Sequence, residues 1–439
     1  MALSTQPYKG ARDFYPEDKR VQKYIFGKLR ETVERWGYEE YDAPILESLD
    51  LYLAKTGEEI VNEQTYTFED RGGRQVAIRP EMTPTVSRMV AAKRQELAYP
   101  LRWYSIPNLW RYERPQRGRL REHWQLNVDL FGVAGVAADI ELIQVVDAIM
   151  QGFGAKRSMY KIRLNSRTFM DYGLHELLHF DEVQAYSVSK LIDRMHKIDR
   201  DEFITQLDAL CTPSQREQGV VEQLLDILAA KRFTQLPAAL QAHQSAQELQ
   251  SVIEQLHAAG LTHVEFDATL MRGFDYYTGV VFEVFDTHPE NNRSLFGGGR
   301  YDGLVGLFGV EPVPTVGFGM GDVMLQHFLE AHELLPKLHP ETKVYAVLIG
   351  DVLADAQPVI RELRREGINV AVDITGRDLG KQFKTADKKG IPYALVIGRQ
   401  ELDSEQYKLK NLRTGEEETH SLTRIITLVQ DHRHGEEDV

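Results

Sequence analysis

The run Arg111-Tyr112-Glu113-Arg114-Pro115 carries chemistry that residue type and spacing alone can argue. A guanidinium at a strand end can grip a phosphate through two parallel N–H bonds, and a carboxylate two residues on points to the same strand face. Arg111 and Glu113 therefore suit a nucleotide. Arg79-Pro80-Glu81-Met82-Thr83 is a second strand end bearing a cation, an acid and a hydroxyl. In residues 270–283, Arg272 and Asp275 surround Gly273 and precede Tyr276 and Tyr277, just before an apolar strand. In residues 296–303, Gly297, Gly298 and Gly299 would let a ligand come close to the backbone. Taken singly, these strings also read as a charged surface ladder, an ordinary turn, a hairpin with core aromatics and a flexible loop. His175-Glu176-Leu177-Leu178-His179 is a literal H-E-x-x-H, which on a helix would set two imidazoles on one face for zinc, as in a metalloprotease. No third ligand is evident, and the competing reading is a short helix start after Gly173 with its leucines facing in.

Such strings need strands to hold them. Apolar residues at steps of three or four, ending at Gly37, predict a helix over 18–36. Strands are expected over 38–45, where Pro44 suits an edge or an irregular crossing, and over 64–68, 75–78, 101–109, 125–131, 279–285 and 315–318. The pattern implies a mostly antiparallel sheet. Residues 171–260 lose the strand signals and fill with Leu, Ala, Gln and Glu, as a helical insertion would. Expected boundaries are a domain over 1–335 interrupted by that insertion, a proline-bounded linker at 336–340, and a second domain over 341–439. The order strand, helix, strand, helix, strand in the last predicts a small parallel α/β domain.

At 439 residues, about three domains of roughly 150 residues are expected. With 42% hydrophobic and 27% charged residues the disordered and low-complexity classes drop out. No apolar run approaches the ~20 residues that cross a bilayer, so no membrane association and a cytoplasmic location are expected. The single Cys211 excludes an internal disulfide and a multi-cysteine zinc site. The net charge of −14 requires that any polyanionic partner meet a local basic surface, and residues 111–122 and 377–389 supply two.

In this order the four strings resemble the histidyl-tRNA synthetases, a family of class II aminoacyl-tRNA synthetases, across nearly the whole chain. Residues 111–113 with 125–129 resemble the class II second motif, 270–277 and 296–303 the two histidine-specific signatures, and Pro44 the proline of the first motif. The resemblance implies an α+β catalytic domain on a six-stranded antiparallel sheet, a helical insertion, a C-terminal α/β anticodon-binding domain and a homodimer. It implies activation of L-histidine with ATP and Mg²⁺, then transfer to tRNA(His). Arg111 and Arg272 would be catalytic, flanking the α-phosphate, and Glu113 would contact adenine. Glu81, Thr83 and Gln125 would bind the α-ammonium of histidine, and Asp129, Tyr276 and Tyr277 its remaining groups, Asp129 and Tyr277 reaching the imidazole. Arg114, Gln116 and Arg121 would meet the tRNA acceptor end, and no dedicated protein cage for a metal is implied. Two positions depart from the family: Asp129 replaces a usual glutamate, and Met324 stands at the third-motif arginine. The related regulatory subunit of ATP phosphoribosyltransferase, which binds histidine without catalysis, would lack the C-terminal domain.

Overall fold

A computed structural model describes residues 3–53, 64–271, 276–291 and 293–436, with side chains to Asp431. Arg272 and Asp275 lie outside the described residues. The chain forms two compact units, residues 1–14 with 22–335, and 15–21 with 336–439.

In the first unit the strands are β1 (Glu39–Glu40), β2 (Leu46–Ser48), β3 (Tyr66–Glu69), β4 (Gln75–Ile78), β5 (Leu101–Ser105), β6 (Asn108–Trp110), β7 (Glu122–Phe131), β8 (Tyr160–Ser166), β9 (Val264–Phe266), β10 (Val280–Asp286), β11 (Ser294–Arg300) and β12 (Thr315–Gly321). The main sheet runs β1-β5-β7-β12-β11-β10-β8-β9, with β6 paired to β7. Its middle six strands, β5 to β8 in that order, are antiparallel throughout, as expected. Short parallel strands, β1 and β9, flank them. The expected strand 38–45 shortens to Glu39–Glu40, which joins the main sheet, and β2, just beyond it, pairs with β4 in a separate β2-β4-β3 sheet. The expected strand 101–109 is likewise interrupted at Ile106-Pro107, where Pro107 has no N–H for the ladder and its carbonyl accepts from Gln125 N at 3.2 Å.

β7 is the spine of the site. Its even residues Leu126, Val128 and Leu130 are buried. Helix Asp322–Ala331 packs along β7 and helix Ala137–Gly152 against β12. The odd residues Gln125, Asn127 and Asp129 share the opposite face. Between β8 and β9 the described chain is helical only, from Arg167–Tyr172 to Gln244–Ala258. Amphipathic helices Glu182–Arg194 and Val220–Ala229 bury Leu191 and Ile192, and Leu224 and Ile227, along their apolar faces.

The second unit has β13 (Val344–Leu348), β14 (Val370–Val372), β15 (Tyr393–Ile397), β16 (Tyr407–Asn411) and β17 (Glu417–His420) in the order β14-β13-β15-β16-β17. The first three are parallel, as the strand–helix alternation predicts, and the last two add an antiparallel hairpin. The sheet is therefore mixed. The periodicity of 407–420 carries less apolar signal because every residue of β17 is at least partly exposed.

Candidate functional site

A cavity of about 950 Å³ opens over the odd-residue face of β7. Its floor is made of glycines. Antiparallel pairing sets Gly297 opposite Gly319 and Gly299 opposite Gly317, so two neighbouring strands present bare backbone on the same face. The bareness is required. A Cβ at Gly317 would lie 2.2 Å from Asp129 Oδ1 and 2.8 Å from the Tyr301 hydroxyl, and one at Gly319 would lie 2.8 Å from the Gln125 carboxamide. Residues 294–300 are thus a central strand rather than a flexible loop, and their glycines clear room for side chains on β7.

Part of the cavity lining is acidic and amide-bearing. Glu81 is 3% exposed and accepts from the Tyr276 hydroxyl at 3.3 Å. Thr83, Gln125 and Tyr277 line the same space, Thr83 at the start of helix Thr83–Ala92. Arg79 buttresses this corner from beneath, donating through Nε to Asn108 O at 3.0 Å and through Nη1 to Ala43 O at 2.7 Å. Asp129 sits just behind the lining: buried, it accepts a hydrogen bond from Tyr301, and its Oδ2 has no hydrogen-bond partner among the described residues. Burial pushes its carboxyl up to about 7 against the opposing effect of the Tyr301 hydrogen bond. Tyr301, not Asp129, reaches the cavity wall.

Another part of the lining is cationic. Arg111 follows β6 and is held by Nε donating to Pro80 O at 2.9 Å. Glu113 faces Arg119 at 3.0 Å across the turn closed by Gln116 and Arg119, so in this structure its carboxylate is engaged within its own loop. Gln116 lines the cavity and Arg114 is exposed away from it. Arg121 is 9% exposed. Its guanidinium lies 4.0 Å from the Tyr112 ring and donates to Glu113 O at 3.0 Å and Tyr8 Oη at 3.1 Å. It braces the loop instead of projecting outward. His123 also lines the site, and burial together with Arg111 and Arg12 lowers its imidazole to about 3, leaving it neutral.

The insertion contributes Asp193, His196 and Lys197 to the wall, and β8 and β9 bring Arg163 beside Asp267 at 3.2 Å. Asp193, His196 and Lys197 fall in a stretch, residues 189–198, that resembles the family's insertion, whereas Arg163 and Asp267 carried no signal, and nothing local links an insertion helix end to β7. The Arg-Tyr-Asp after the glycines was the available signal for Tyr301. The H-E-x-x-H does not form a zinc face: residues Gly173–Leu177 are a π-turn, His175 Nδ1 lies 3.1 Å from Phe180 O, and His179 is left-handed at φ 55°. Leu174 and Leu178 face the core. In the second unit, Lys381, Lys384, Lys388 and Lys389 are exposed along or just after helix Leu379–Lys388. Gln382 pins that helix to β13, accepting from Leu348 N at 2.9 Å and donating to Leu348 O at 2.8 Å.

Comparison with known proteins agrees with this layout. The family model described as histidyl-tRNA synthetase matches residues 10–322, and one described as an anticodon binding domain matches 343–432. The histidine–tRNA ligase of Leptospira biflexa is 44% identical over 434 residues, covering 98% of each chain. That of Thermoplasma volcanium is 36% identical over 429 residues, covering 98% of this chain and 99% of its own. The crystal structure of histidyl-tRNA synthetase from Nostoc sp. PCC 7120 superposes with TM-score 0.81 over 98% of this chain and all of that one, at 24% identity, which speaks to the fold. With a cavity built on these strings and relatives matched end to end, the chain belongs to the histidyl-tRNA synthetase family.

Proposed function

We propose that the protein is a histidine–tRNA ligase that joins L-histidine to ATP as histidyl-adenylate, releasing pyrophosphate, and then passes the histidyl group to tRNA(His). The observation that carries the reading is one cavity, floored by glycine, whose lining brings buried Glu81 together with Thr83, Gln125 and Arg111. A carboxylate flanked by neutral acceptors suits an α-ammonium. The substrate carboxylate then lies toward Arg111, whose guanidinium meets the charge that builds on the α-phosphate as pyrophosphate leaves. Arg272, by resemblance, gives the opposing cation, and Glu113 turns from Arg119 to adenine when nucleotide enters.

Tyr277 reads the imidazole from the wall, and Asp129 acts from behind it by accepting from the Tyr301 hydroxyl and so orienting that group toward the ring. A site built to bond both ring nitrogens rejects side chains without them. Gln116 and Arg114 meet the acceptor end of tRNA, and Arg121 serves that contact by holding their loop. Among the described residues no three His, Cys, Asp or Glu side chains converge as metal ligands, a donor set that fits Mg²⁺ carried on the triphosphate with at most Glu113 or Glu283 beside it. That ion would supply neutralisation of phosphate charge. The lysines of helix Leu379–Lys388 face the anticodon arm, and the working form is a cytoplasmic homodimer. No helix of the described residues is long and apolar enough to cross a membrane.

ATP–pyrophosphate exchange measured across the amino acids tests the reading, with exchange expected for histidine alone. Histidine binding with no exchange at saturating ATP would instead support the non-catalytic regulatory relative.

A further inference from the structure

We propose that Arg293 supplies the positive charge that position 324 lacks, gripping the terminal phosphates of ATP; the proposal rests on the ligase reading above. An arginine at 324 would offer a flat apolar surface and a cation together. Met324 can offer only the first. Its thioether is polarisable and packs well against a ring. It is also committed to the basic loop, since a Cβ built on Gly118, at φ 78°, would lie 2.2 Å from Met324 Sδ. The charge must come from elsewhere.

Arg293 is positioned to give it. It immediately precedes β11, whose first residue, Ser294, pairs with Phe285 of β10. Continuing the β11–β12 register from Gly297 opposite Gly319 carries residue 293 toward the first turn of helix Asp322–Ala331, which bears Met324. Arg293 and Met324 line the same cavity. Of the other cations there, Arg111 is held on Pro80 O at 2.9 Å and is already assigned to the α-phosphate, and three are met by acids: Arg163 by Asp267 at 3.2 Å, Lys197 by Asp193 at 3.7 Å and Arg119 by Glu113 at 3.0 Å. Arg293 is exposed, and it donates from Nη1 to Arg117 O, a neutral carbonyl, at 3.3 Å. Arg117 also faces the cavity with no ion pair among the described residues, but it sits on the turn between Gln116 and Arg119, whereas Arg293 adjoins a sheet strand. A guanidinium so anchored can take two phosphate oxygens at once and stabilise the pyrophosphate as it departs.

The test uses the full-length protein and its Arg293→Ala and Arg293→Lys variants. Two measurements are made: histidine-dependent ATP–pyrophosphate exchange, and calorimetric binding of ATP and of AMP. Loss of a charge-assisted contact should raise the KM for ATP about 10- to 100-fold in Arg293→Ala. The lysine variant should recover part of it. The KM for histidine should stay within about twofold, and AMP, which lacks the terminal phosphates, should bind all variants alike. An ATP KM unchanged in Arg293→Ala overturns the proposal, and so does equal weakening of ATP and AMP, which would mean a contact to adenine or a structural role. If the unaltered protein performs no exchange with histidine, the ligase reading falls and this proposal with it. Active unaltered protein with an unaffected Arg293→Ala removes the proposal alone.

Discussion

Asp129→Asn separates the cost of burying a carboxyl from its use. The side chain is buried between Tyr301 and the bare backbone of Gly317, and its carboxyl stands near 7 instead of 3.8 because desolvation outweighs the single hydrogen bond. An unfolded chain gives up this proton near pH 4 and the folded protein near pH 7, so between those values the folded state holds the extra proton. Stability from this group is therefore complete below about pH 4 and declines as pH rises to about 7. At 1.36 kcal/mol for each factor of ten, the full loss is roughly 4 kcal/mol, of which roughly 2 falls between pH 5 and 7. Asparagine keeps an acceptor for Tyr301 and cannot ionise. The four tryptophans, Trp36, Trp103, Trp110 and Trp124, all belong to the first unit, so tryptophan fluorescence during urea unfolding reports that unit. The stability of the variant relative to the parent should grow by about 2 kcal/mol from pH 5 to pH 7, while its KM for histidine rises at every pH. A stability difference that stays flat with pH would refute the burial account.

Gly319→Ala should push the Gln125 carboxamide out of the cavity, raising the KM for histidine about tenfold and sparing that for ATP, as read by exchange kinetics. Gly317→Ala should be harsher, because its Cβ would meet Val128 O at 3.0 Å as well as Asp129; about 1–3 kcal/mol of stability should go, measured by urea unfolding. Lys381→Glu combined with Lys384→Glu should lower tRNA charging and leave pyrophosphate exchange intact, with binding of tRNA by the parent weakening steeply in salt. The purified protein should carry no stoichiometric zinc, and His179→Ala should leave its metal content unchanged under elemental analysis.

What the sequence could convey was set by the range of the interactions involved. Strands such as Gln75–Ile78 and Tyr393–Ile397 emerge at the expected bounds because their residues encode local period and composition. The strand Ser294–Arg300 does not, since three consecutive glycines have poor strand propensity. They are held extended by neighbours on both sides, β10 and β12, which are remote in purpose if not all in sequence. The same limit applies to Arg121. Its type and place in a basic run suggest a nucleic-acid contact, and only the arrival of Tyr8 from the N-terminus reveals an internal brace.

The glycine floor explains why the legible motifs work only together. Gln125 and Asp129 project from β7, yet each occupies space over β12 that a side chain at Gly319 or Gly317 would fill, and β12 is itself flanked by the glycines of β11. The second-motif strand, the third-motif strand and the histidine signature are thus steric complements across one register. A one-residue slip of β12 against β7 would place Phe318 on the cavity face and close it. Substrate room in this protein is therefore a property of strand pairing, and changes that loosen the pairing should reach histidine binding before they reach the fold.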